Sequence, residues 1–142
     1  MKKRGFTLVE LLAVIIVLSM LILIATPMIL DTIEDSKKSS FEQGIKNIAK
    51  IARTYQAREE IDNPIIECRY FSFDNDVSEI TVRDGKTYYP LKDLSLKGTL
   101  PTEGEVKVCA EEITVEASDG SYSGKYDDGQ TNIGKGRLRA GL

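Results

Sequence analysis

Hydrophobic and polar positions divide this chain into three stretches. From Leu11 to Leu30 no Asp, Glu, Lys or Arg occurs. A helix over those residues is apolar on every side and about 30 Å long, which matches the hydrocarbon core of a bilayer. From Asp31 the pattern turns amphipathic. Phe41, Ile45, Ile48, Ala52 and Tyr55 recur at the spacing of one helical face, with Lys46, Asn47, Lys50 and Arg53 mostly opposite. No strong breaker separates the two stretches, so together they predict one helix from about Phe6 to about Arg58. Its first half is greasy all round, and its second half has a stripe that must be covered. Pro27 cannot donate to the Leu23 carbonyl and its ring crowds that turn, so a kink is expected there. Asn63-Pro64 ends the helical region, because the residue before proline disfavours helical geometry.

The third stretch reads as strands. Ile66 to Phe73 is followed by Ile80 and Val82, an Asp84-Gly85 turn, and Tyr88-Tyr89, the pattern of a hairpin. Leu91 to Gly98 predicts a short helical turn that stops at the glycine. Val106 to Cys109 and Ile113 to Ala117 are further strands, and Asp119-Gly120 turns into Tyr122 to Tyr126. The fold class is therefore α+β: a long N-terminal membrane-spanning helix packed against a small antiparallel sheet of about four strands.

Charge sharpens the reading of the first ten residues. Lys2, Lys3 and Arg4 precede the apolar run and predict that this end stays in the cytoplasm, with the rest of the chain beyond the membrane. Glu10 is the anomaly, because a lone carboxylate at the edge of an apolar span either takes up a proton or finds a cation. A secretory signal peptide shares the basic start, but its apolar region is shorter and a small-residue cleavage signal follows it. Here Ala25-Thr26-Pro27 matches that signal poorly. An ordinary single-pass anchor explains the span and leaves the Gly5-Phe6 junction unexplained.

The string Gly5-Phe6-Thr7-Leu8-Val9-Glu10, with its basic leader and long apolar run, resembles the processing site of type IV pilins and pseudopilins. The likeness covers roughly residues 1 to 55. It implies that a membrane prepilin peptidase/methyltransferase cuts between Gly5 and Phe6 and N-methylates Phe6. It also implies that Glu10 pairs with the N-terminal amine of a neighbouring subunit to set register. Gly5 suits a scissile position because a residue without a side chain permits close approach. The implied organisation is a leader (1–5), a transmembrane and filament-core helix (6–30), its amphipathic continuation (31–60) and a β-rich extracytoplasmic head (61–142). Pilins often carry a proline at the spacing of Pro27, where the helix can loosen on assembly. Many also carry a glycine where this chain has Ser19. The implied function is that of a structural filament subunit, anchored by a single pass in the cell membrane and then assembled with other pilin subunits. The alternative is a pseudopilin of a secretion or DNA-uptake system whose head binds protein or DNA cargo.

Composition bounds the rest. Of 19 basic and 22 acidic residues, three basic ones and one acidic one precede Asp31, so the remainder is net −5. Such a head offers no general attraction for nucleic acid phosphates. Nucleic acid as a partner has only the small basic tail Lys135, Arg137 and Arg139 behind it, and a solvated terminus accounts for that tail. Histidine is absent, which removes the commonest general base and metal ligand together, and no catalytic motif occurs. No enzyme activity, cofactor or metal is expected. Asp74-Asn75-Asp76, Asp119 and Asp127-Asp128 are oxygen-rich, but they lack calcium-loop spacing and read as turns. Cys68 and Cys109 both lie beyond the span, and an even count there reads as one disulfide. Two free thiols are the alternative.

Overall fold

The structure, a computed structural model, describes residues 4–138. A single helix, α1 (Leu8–Asp62), is followed by β1 (Arg69–Ser72), β2 (Thr81–Arg83), β3 (Lys86–Tyr88), a 3-10 turn (Leu91–Leu94), β4 (Glu103–Val108), β5 (Ile113–Ser118), β6 (Tyr122–Asp127) and β7 (Gln130–Lys135). The chain divides into two compact units after Lys37.

In the first unit the helix buries nothing. Its side chains from Leu8 to Leu30 are exposed, including Leu23 and Met28. It is long and apolar enough to cross a membrane, and no other helix among the described residues is. The polar hydrogens within it stay at home: the Ser19, Thr26 and Thr32 hydroxyls donate to the carbonyls of Ile15, Ile22 and Met28 at 2.8, 2.6 and 2.8 Å. Such back-bonding suits hydroxyls in an apolar surrounding, where an unpaired donor is costly. α1 continues through Pro27.

In the second unit the stripe is covered as its spacing predicts. Ile45, Ile48, Ala49, Ala52 and Tyr55 are buried against Phe71, Val106, Val108, Val115 and Ala117 of the sheet, with Phe41 half-buried at the margin. Ala49 joins the expected set because it completes the i, i+3, i+4, i+7 face.

The sheet has seven strands rather than about four, in the order β2-β3-β1-β4-β5-β6-β7. All neighbours are antiparallel except β1 and β3, where Arg69 aligns with Thr87 and Tyr70 with Tyr88 in parallel. The β2–β3 hairpin turns at Asp84-Gly85, both with positive φ (50° and 75°), the geometry that matches strand twist. Asp128-Gly129, with φ of 42° and 88°, makes a second such turn into β7. That strand corrects the reading of the C-terminus as a solvated tail, since Lys135 pairs across the sheet with Tyr122. The short helical turn also ends earlier than expected. Ser95 closes it in the left-handed region (φ 54°), three residues before Gly98.

Hydrogen bonds of Gln56 and Arg69 join the far end of α1 to the sheet. Gln56 Nε2 donates to the carbonyls of Cys109 and Ala110, each at 2.6 Å, and Cys109, just after β4, forms a disulfide with Cys68, just before β1. Arg69, buried at the start of β1, donates to the Tyr55 hydroxyl (2.7 Å), Glu59 (2.6 Å) and the Asn63 carbonyl (3.2 Å). Its guanidinium also lies 4.9 Å from the centre of the Tyr89 ring. Burial raises the Tyr55 phenol above its ordinary value, and the hydrogen bond from Arg69 offsets part of that rise.

Candidate processing and assembly site

The junction marked out by sequence lies just outside α1. Gly5 and Phe6 have no regular structure, no atom would come within 4 Å of a side chain added at Gly5, and Phe6 is 93% exposed. Arg4 is exposed beside them. Lys2 and Lys3, the rest of the basic leader, lie outside the described residues.

The helix begins where Thr7 and Glu10 meet. Thr7 N–H donates to Glu10 Oε2 at 2.8 Å, and Glu10 N–H donates to Thr7 Oγ1 at 3.2 Å. The Thr7 carbonyl accepts the first helical bond, from Leu11 N–H, at 3.2 Å. This reciprocal exchange is a capping box, which satisfies two backbone donors that an α-helix otherwise leaves bare. It also places a carboxylate at the positive end of the helix dipole. Charge alone does not disclose this role of Glu10. Its signal in the sequence is Thr-x-x-Glu before an apolar run.

Glu10 thus has a partner in the single chain, through one carboxylate oxygen. No bond to Oε1 occurs among the described residues. A carboxylate held this way at the end of an exposed apolar helix can accept a further cation without leaving its cap.

The acidic clusters and the basic tail fall elsewhere, in the second unit. Asp76 Oδ1 accepts Val77 N–H and Leu91 N–H, each at 2.8 Å, and Asp119 Oδ1 accepts Ser121 N–H and Tyr122 N–H, also at 2.8 Å. Both carboxylates therefore organise turns, in keeping with their sequence context. Asp74 is bonded by the Ser72 hydroxyl and the Asn75 amide. Of the basic tail, Arg137 pairs with Glu103 at 3.5 Å on the surface, and Arg139 lies outside the described residues.

No curated protein and no solved structure matches the chain. Residues 1–26 match the family model of the prokaryotic N-terminal methylation motif, and the chain carries at its start the prepilin mark of type IV pilins and pseudopilins.

Proposed function

We propose that this chain is a structural subunit of a type IV pilus or pilus-like filament, stored in the membrane as a prepilin and assembled through α1. Prepilin peptidase cuts between Gly5 and Phe6, and Phe6 becomes the methylated N-terminus. The observation that carries the reading is the pairing of an uncovered apolar helix with a lone carboxylate, Glu10, at its very start. A surface apolar on all sides suits two environments in turn, the bilayer and a bundle of like helices. Glu10 supplies what apolar packing lacks, a register. Sliding one helix along another changes apolar contact little, whereas an ion pair with a neighbour's Phe6 amine is satisfied at one offset only. Lys2, Lys3 and Arg4 hold the leader on the cytoplasmic face, and the unit after Lys37 forms the exposed surface of the filament. Pro27 leaves the Leu23 carbonyl without its helical donor, so the assembled helix is most easily deformed there.

Glu10→Ala tests the reading. The variant inserts in the membrane and is cut, but is missing from filaments sheared off the cell surface. Normal incorporation would overturn the assembly role. Gly5→Val separates processing from assembly, because its product retains the mass of the five leader residues.

A further inference from the structure

The Thr7 half of the capping box, the hydroxyl that holds the N–H of Glu10, also governs the residues that precede it. We infer that Thr7 is a positioning residue for leader removal: its hydroxyl stops the helix so that the Gly5–Phe6 peptide stays outside it and open to the peptidase. The inference rests on the processing proposed above.

Two sets of acceptors compete for the same backbone donors. Were the helix one residue longer, Glu10 N–H would bond to the Phe6 carbonyl. Were it two residues longer, Val9 N–H would bond to the Gly5 carbonyl. That carbonyl belongs to the scissile bond. In the structure Glu10 N–H is already taken by Thr7 Oγ1 at 3.2 Å, and Thr7 N–H by Glu10 Oε2 at 2.8 Å. The first intrahelical acceptor is accordingly Thr7 itself, and no backbone bond to the Gly5 or Phe6 carbonyl occurs among the described residues. Hydrolysis adds water across the Gly5–Phe6 bond, leaving a carboxylate on Gly5 and an amine on Phe6. An attacking water needs the carbonyl free of helical bonding and reachable from the side. Gly5 alone does not secure this, since glycine weakens a helix without specifying where it begins. The hydroxyl at Thr7 does specify it.

The test uses the full-length precursor in membranes with its peptidase, following loss of the leader by mass over time. Thr7→Val keeps the shape of the side chain and removes the hydroxyl. It should lower kcat/KM for cleavage about fivefold, the scale of a lost N-cap. Thr7→Ser, which restores the hydroxyl, should return the rate to that of the parent chain. Cleavage of Thr7→Val at the parent rate would overturn the inference. So would equal slowing in Thr7→Ser, which would mean that the peptidase reads the shape of the side chain. Failure of the parent chain to be cut between Gly5 and Phe6 is a separate outcome, and removes the processing reading itself.

Discussion

Gly124 on β6 lies directly beneath Ile45 of α1. A Cβ built there would collide with the terminal methyls of Ile45 and Ile133 and come within 3.3 Å of the Phe41 ring. The missing side chain lets the helix sit on the sheet at this point. Gly124→Val is therefore expected to destabilise the full chain in detergent by about 2 kcal/mol, the usual scale of overpacking. Denaturant unfolding at a lowered midpoint with unchanged slope would show it. Gly124→Ala should cost less, because the obstructing atoms are ends of flexible side chains.

Gly104 is the stricter case. It sits in β4 at φ +119°, opposite Ala117, and an added Cβ would strike the backbone of Glu116 and Ala117. Backbone cannot rotate aside as Ile45 can. Gly104→Ala should cost more than Gly124→Ala by at least about 1 kcal/mol, combining positive-φ strain with the clash. Equal losses in the two alanine variants would contradict this account.

These two glycines mark how far a sequence pattern reaches, since neither close approach is visible in its neighbours along the chain. Period-3.6 spacing locates the buried face of α1, because each residue of that face meets the sheet at an interval the helix itself sets. Asp84-Gly85 is legible as a turn because its backbone demand is local. The parallel pairing of β1 with β3 is not, since nothing in Arg69–Ser72 or Lys86–Tyr88 encodes which edge accepts the hairpin. The β7 strand does have a local signal, the Asp128-Gly129 turn, but the adjacent Asp127 gives it the look of an acidic cluster. At the N-terminus the junction and the carboxylate are legible as chemistry, whereas the stronger processing motif around Thr7 hides its capping role.

Arg69 predicts an effect in two measurements. Its side chain is 7% exposed and that of Glu59 25%, so the pair is largely removed from water. Arg69→Met leaves Glu59 and the Tyr55 hydroxyl without their donor, and a loss of about 3 kcal/mol is expected. The same change removes the cation that lowers the Tyr55 phenol while its burial remains. Tyr55 should then titrate at still higher pH, visible in an alkaline absorbance titration against the parent chain. The sign for stability follows. A phenol raised on folding contributes stability below its ordinary value, and that contribution is lost as pH rises through the folded value. Earlier titration of Tyr55 in Arg69→Met would contradict the proposed contact.

The Cys68–Cys109 disulfide and the Gln56 side chain hold the same turn, one by a covalent bond and one by two hydrogen bonds. The bond spans a sequence separation of 41 residues, for which restriction of the unfolded chain amounts to about 3–4 kcal/mol. Reduction, or Cys68→Ser with Cys109→Ser, should lower stability by that order and leave the fold intact, because Gln56 still anchors the Cys109 and Ala110 carbonyls. Alkylation after unfolding without reductant should find no free thiol in the parent chain. Because the two ties share one turn, their losses should not add. With the disulfide present, Gln56→Ala removes a redundant anchor. With it absent, the same substitution releases the turn, so Gln56→Ala should cost more in the reduced chain than in the oxidised one. A cost for Gln56→Ala that is the same in both redox states would show that the two ties act independently.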